Sequence, residues 1–351
     1  MRSLERVRGV IAGGEVDHLA AQPMMMMFAA RHAGVLYIEY TKDPKKLAEA
    51  QLRVIEDFGV DCALMCSDPA REVIDIAGEG SVKWFEDQGP AIAEDRAALL
   101  DKARLAELKV PDPHAEGRMH DRIRSIEICF EALQGETSIV GWVEGPMALA
   151  QELRGLNNVM TDVLDDPIFV RDLMDFTSEV AIVYAAAQIE AGADTIGMSD
   201  AVASMLGPRH YSDFVRPWQE RIFTSLRQAH PDIILRQHMC GNITRLTPQM
   251  AALPVDIYEI DFPTDLAKAR AALGPDRVVL GNVSTITDML TGTPETVEAA
   301  AARCHEICGT YHIVGAGCEL SPFTPPENVH AMVRFAREHT PGRSAPIPAG
   351  S

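Results

Sequence analysis

Eight short apolar stretches recur along the chain, most of them ending in a polar or glycine-rich turn. They are AAQPMMMM (20–27), CALMCSD (62–68), TSIVGWVEG (137–145) and TIGMSDA (195–201), followed by IILRQHMCG (233–241), DIYEIDF (256–262), RVVLGNV (277–283) and YHIVGAGCEL (311–320). Runs of this length suit strands buried on both faces, as in a parallel sheet, although periodicity alone does not separate them from buried helix. Between them, apolar residues return at helical spacing. DPKKLAEAQLRVIEDFG (43–59) and DPIFVRDLMDFTSEVAIVYAAAQIEAG (166–192) read as helices, and PETVEAAAARCHEICG (294–309) adds Pro in its first turn and Gly after its last. Strand and helix alternating in this way predict an α/β fold, a (β/α)8 TIM barrel rather than an open doubly wound sheet. The long interval from 69 to 136 predicts extra helices inserted after the second strand. No internal repeat or linker interrupts the chain, so residues 1–340 read as one domain and PGRSAPIPAGS (341–351) as a flexible tail.

A barrel of this kind carries its chemistry at the C-terminal ends of its strands. Those ends gather Asp68, Glu144, Asp200, His238, Cys240, Glu259, Asp261, Asn282 and Cys318. Within RQHMCG, residues two apart in a strand point the same way, so His238 and Cys240 face the mouth while Met239 packs outward. An imidazole and a thiolate are good zinc ligands but do not complete a site. Cys318, at the end of the last stretch, can meet them across a narrow mouth. Three protein ligands with a fourth position open to substrate is the catalytic zinc pattern. The ordinary alternative is that a free cysteine is only a small buried hydrophobe. That alternative is preferred for Cys62 and Cys66 in a buried strand and for Cys304 and Cys308 on a packed helix. The run Met24 to Met27 reads as core packing in the first strand.

Composition narrows the function classes. A net charge of −19 argues against a nucleic-acid binder, which needs clustered Lys and Arg. No apolar run approaches the ~20 residues of a membrane span. MRSLERVRGVIAGG mixes charges with its apolar residues, unlike a secretory signal. Seven cysteines in a long chain argue for free thiols or metal ligands over disulfides, and a cytoplasmic location is expected.

Several segments resemble the uroporphyrinogen decarboxylase superfamily. GWVEGPMALA (141–150) resembles its G-x-x-x-G-P-x-x-L-A segment and LGPRHYSDFVRPWQERI (206–222) its S-P-x-x-F-x-x-F-x-x-P-Y segment. GNV (281–283) and SPFTPPENV (321–329) also match. The decarboxylase branch carries R-Q-A-G-R-Y-L-P-E-Y, with two arginines for substrate carboxylates. Here RHAGVLYIEY (31–40) keeps Arg31 but has Val35 and Ile38 where the second arginine and the proline would stand. Cys318 occupies the histidine position of its G-H-G, whereas Asp68 matches its pyrrole-binding aspartate. The other branch comprises zinc methyltransferases that work with corrinoid proteins, and its H-x-C-G and late cysteine match His238, Cys240, Gly241 and Cys318.

The resemblance therefore implies zinc on His238, Cys240 and Cys318, and a methylcorrinoid (cobalamin) carried by a partner protein. It also implies a small thiol acceptor or an O- or N-methylated donor, and a homodimer lies within the family's repertoire. Glu259, then Asp261, are the candidate carboxylates for the open zinc position, with Asp200 as a further catalytic candidate. Asp68, Glu144 and Asn282 are candidate substrate contacts, and each of these side chains has an equally ordinary reading as a cap or backbone partner. The competing functions are a cofactor-free decarboxylase of the uroporphyrinogen type and a non-catalytic barrel that binds a corrinoid protein or stores metal.

Overall fold

Strands with apolar side chains on both faces need cover on both, and the alternation with amphipathic helices supplies it. The computed structural model describes residues 1–341, so the tail expected at 341–351 lies, from 342 onward, outside the described residues. Seven of the apolar stretches form one curled parallel sheet whose strands follow chain order. They are β1 (Cys62–Leu64), β2 (Ser138–Glu144), β3 (Thr195–Ser199), β4 (Ile234–Met239), β5 (Ile257–Ile260), β6 (Val278–Leu280) and β7 (His312–Ile313).

The stretch 20–27 departs from its expected strand. It contributes only a parallel bridge from Ala21 to Val314, while the Asp61 N–H, just before β1, donates to the Ala21 carbonyl at 2.8 Å. The segment is thus bonded to both ends of the sheet, but Pro23 has no N–H with which to extend a ladder. Met27 already begins the helix Met27–His32.

Flanking helices form where their caps place them. Asp43 accepts the Lys45 N–H at 2.9 Å to open Pro44–Phe58, and Asp166 opens Pro167–Glu190 through the Phe169 N–H. Pro294–Cys308 starts on Pro and stops at Gly309. Between β1 and β2 lie helix Ala70–Ala77, a hairpin pairing Val82–Lys83 with Ala91–Ile92, short 3-10 turns and helix Arg118–Leu133. The N-terminal helix Ser3–Ile11 packs Val7 and Val10 against Ile234, Ile257, Val278 and Ile313, toward the N-terminal ends of the strands. Among the described residues no helix is long and apolar enough to cross a membrane.

Register is what positions the site. Glu144 pairs with Ser199, Ser199 with His238, and His238 with Glu259, a single row across β2 to β5 near their C-terminal ends. The row two residues earlier runs Trp142, Gly197, Arg236. A Cβ on Gly197 would lie 2.4 Å from the Trp142 ring, so the glycine makes room for the indole.

Candidate metal centre

His238 is the last inward-facing residue of β4, and Met239 packs into the outer apolar core as expected. Cys240 follows the strand, and Gly241 turns the chain at φ 90, a conformation that favours glycine. That turn is pinned by Asp261, whose carboxylate accepts the N–H of Gly241 at 2.6 Å and of Phe262 at 2.7 Å. Cys318 lies beyond the strand expected to carry it. β7 ends at Ile313, and the loop crosses to the site after Ala316 bridges Val283.

The three side chains converge. His238 Nε2 lies 3.1 Å from Cys240 Sγ and 3.7 Å from Cys318 Sγ, and the two sulfurs are 3.5 Å apart. Tetrahedral zinc with Zn–S near 2.3 Å and Zn–N near 2.1 Å asks for ligand separations of roughly 3.5–3.8 Å. This donor set therefore fits zinc, and it is the one His/Cys/Asp/Glu group among the described residues with metal-binding spacing. The hydrogen bond to Cys318 raises the Cys240 thiol, and the same bond, helped by His238, lowers that of Cys318.

Behind the histidine, Glu259 lies 3.1 Å from Nδ1 as an ion pair rather than an aligned hydrogen bond. The same carboxylate accepts a fork from Arg236, through Nε at 3.0 Å and through Nη2, and all three residues are buried. Burial alone would lower the His238 pKa, but the Glu259 charge raises it to about 10. Burial would likewise raise Glu259, yet Arg236 and His238 bring it down to about 2. Glu259 thus addresses the ring nitrogen that faces away from the cysteines, and Asp261 spends both oxygens on backbone amides. Neither carboxylate joins the three-donor cluster.

A cavity of about 250 Å³ opens onto the cluster, lined also by Asp68, Glu144, Glu319, Tyr37, Cys66, Trp142 and three methionines, Met24, Met26 and Met27. The methionine run is therefore partly cavity wall, with Met25 left to the core. Asp68 accepts from Ser67 at 2.6 Å and from Arg118 at 3.1 Å. Glu144 is buried, and burial together with Glu72 raises its pKa to about 8. Asp200 does not line the cavity. It accepts the Ala148 N–H and the Gln219 amide, each at 2.8 Å, and so caps helix Pro146–Arg154, with burial raising its pKa to about 7. Asn282 donates to the carbonyls of Asp261 and Thr264 and is likewise absent from the lining. Cys62 and Cys308 are buried, each pushed up to about 12 by burial.

Sequence reasoning missed Arg236, Trp142, Tyr37 and Glu319. Arg236 and Trp142 had a signal, since each stands two residues before an inward-facing candidate on its own strand. Glu319 had adjacency to Cys318, and its carboxyl accepts the Met27 N–H at 2.7 Å.

The chain is similar to known proteins along most of its length. Over 328 residues the chain is 28% identical to a methylcobamide:CoM methyltransferase of Methanosarcina mazei, covering 92% of this chain and 86% of the relative. It is 27% identical over 318 residues to a uroporphyrinogen decarboxylase of Azoarcus sp., covering 87% and 85%. Among solved structures, a methyltransferase from Methanosarcina mazei superposes with a TM-score of 0.87 at 22% identity, over 96% of this chain and 99% of that one, a likeness of fold. Residues 2–339 match the uroporphyrinogen decarboxylase (URO-D) family, and the chain belongs to it.

Proposed function

We propose that this protein is a zinc-dependent methyltransferase that exchanges a methyl group between a corrinoid held by a partner protein and a small thiol or O- or N-methylated compound. The observation that carries this reading is the convergence of His238 Nε2, Cys240 Sγ and Cys318 Sγ at metal-ligand spacing. The methyltransferase relative agrees with it. We also take the sheet to work as a closed (β/α)8 barrel, with the Ala21 segment as its first strand and the hairpin and helices after β1 as an insertion.

Zinc in this donor set supplies Lewis acidity, which keeps a coordinated thiol deprotonated at neutral pH or polarises the heteroatom of a methylated donor. The chain's own residues do the rest. Glu259 and Arg236 fix the ring of His238 so that Nε2 faces the sulfurs. Asp261 holds the turn that aims Cys240. Trp142, Met24, Met26 and Met27 supply the apolar part of the cavity wall. In the thiol direction the thiol would give up its proton to solvent on binding, and its sulfur would supply the electron pair of the new S–CH3 bond. The pair of the broken carbon–cobalt bond stays with the corrinoid. Met205, Ile286 and Phe323 stand exposed on the connections that follow β3, β6 and β7, apolar positions suited to a docking protein.

Decarboxylase relatives of similar identity make decarboxylation the second reading, and Asp68 in the cavity wall favours it. Against it, about 250 Å³ falls below the ~300–1,000 Å³ of drug-sized pockets, and no Lys or Arg among the described residues lines it for a polycarboxylate. Arg31 instead lies over the exposed Phe323 ring, 4.5 Å from its centre.

The test combines metal analysis with the visible spectrum of methylcobalamin incubated with enzyme and candidate thiols. About one zinc per chain and loss of the methylcobalamin bands are expected. A purified protein without zinc, or a His238→Ala variant that keeps both zinc and activity, would sink the proposal.

A further inference from the structure

Away from the His238–Cys240–Cys318 centre, the ionisable side chains Asp68, Glu144 and Glu319 on the cavity wall are all acidic, and no Lys or Arg among the described residues lines it. Asp68 is already answered by Arg118 at 3.1 Å and Arg71 at 3.5 Å, and Glu319 by the Met27 N–H. Glu144 is not. It is nine-tenths buried, and its carboxyl makes no hydrogen bond among the described residues. Arg122 acts on that carboxyl only through its charge, since its one hydrogen bond among the described residues goes to the Trp142 carbonyl at 2.5 Å. Arg236, with its guanidinium 5.7 Å from the Trp142 ring centre, is committed to Glu259. Behind Glu144, its backbone N–H reaches Glu72, whose other carboxyl oxygen is unbonded.

The Glu144 oxygens are open to the cavity and bonded to no protein group among the described residues, so a cation brought by a ligand can meet them directly. Aromatic rings attract the same charge. Trp142 lies two residues before Glu144 on the same face of β2, with its ring centre 6.1 Å from that of His238, and Tyr37 lines the same space. Burial and Glu72 hold this carboxyl protonated up to about pH 8, so a cation placed beside it favours its ionised form and an anion opposes it.

Granted the zinc-thiol reading above, we propose that the small substrate is a thiol bearing an ammonium group, with the sulfur on the His238–Cys240–Cys318 centre and the ammonium met by Glu144 beside Trp142. Sulfonated or carboxylated thiols without an amine are disfavoured.

A charge series tests this. Zinc-loaded wild type and Glu144→Gln are titrated calorimetrically with 2-aminoethanethiol, 2-mercaptoethanol and 2-mercaptoethanesulfonate at one pH and salt concentration. Cobalt(II)-loaded protein reports sulfur coordination by absorption without any corrinoid. Wild type should bind the amine about tenfold tighter than the neutral thiol, and the sulfonate weakest. Glu144→Gln should reduce the amine's advantage to less than about threefold and leave the neutral thiol's affinity little changed. Comparing wild type with variant cancels the differing acidities of the thiols, and the wild-type order stands even if the variant misfolds. A sulfonate that binds as tightly as the amine, or an amine advantage unchanged in Glu144→Gln, overturns the inference and leaves the methyltransferase reading intact. Failure of all three thiols to coordinate loaded metal overturns the zinc-thiol reading itself.

Discussion

Glu259 meets Nδ1 of His238 at 3.1 Å from the neighbouring strand, at the same register position, while Nε2 of that ring faces Cys240 and Cys318. A carboxylate behind a ligating imidazole sets its orientation and raises its basicity, and losing such a partner typically costs 10–100-fold in metal affinity. Glu259→Gln should therefore weaken zinc binding by about that factor in a chelator competition. It should also destabilise the fold by roughly 3–5 kcal/mol, because the buried Arg236 loses its counter-charge. Unchanged zinc affinity in a folded Glu259→Gln protein would show that the carboxylate serves Arg236 alone.

Much of this site was legible, for reasons that differ by residue. His238-x-Cys240 could be read because strand alternation gives two side chains one direction. Cys318 could be placed at the mouth but not on its loop, since β7 is only two residues long and the chain runs on without a regular element. The Arg236–Glu259 fork depends on which residues of β4 and β5 stand side by side, and single-strand patterns hold no register. Asp200 looked catalytic because it follows a strand, yet its carboxylate caps a helix from the preceding connection. The first strand was overestimated because apolar character was weighed without the missing N–H of Pro23.

Metal should contribute to stability as well as to chemistry. A ligand present at about 1,000 times its Kd stabilises the folded state by roughly 4 kcal/mol. Stripping zinc should lower Tm, and re-adding it should restore the loss, as followed by calorimetry. In Cys240→Ser and Cys318→Ser the gap between stripped and zinc-supplied samples should largely close. A gap of wild-type size in both variants would place the stabilising metal elsewhere.

Gly241 offers a test of backbone geometry. Its φ of 90 is strained for any residue with a Cβ, and that Cβ would lie 3.1 Å from Ser204 Oγ. Gly241→Ala should cost about 1–3 kcal/mol. The relaxation shifts Cys240, so zinc affinity should fall more than in Gly207→Ala, where the added Cβ meets open space. Equal zinc affinities in the two variants would separate the turn from the metal site.

Acid sensitivity should come in part from a histidine outside the centre. His312 is fully buried on β7, with Nε2 2.9 Å from the Gly281 carbonyl. Burial lowers its pKa to about 3, with His305 and Arg270 adding to the effect and the Gly281 bond opposing it. Between its ordinary value near 6.5 and about 3, the unfolded chain binds a proton that the folded chain refuses. Unfolding then takes up protons, so this contribution is complete above about pH 6.5 and declines as pH falls, by about 1.4 kcal/mol per unit. Denaturant melts of metal-stripped wild type and His312→Gln between pH 7 and 5 should show a shallower decline in the variant. Parallel declines would mean that the ring is hydrated or protonated within the fold.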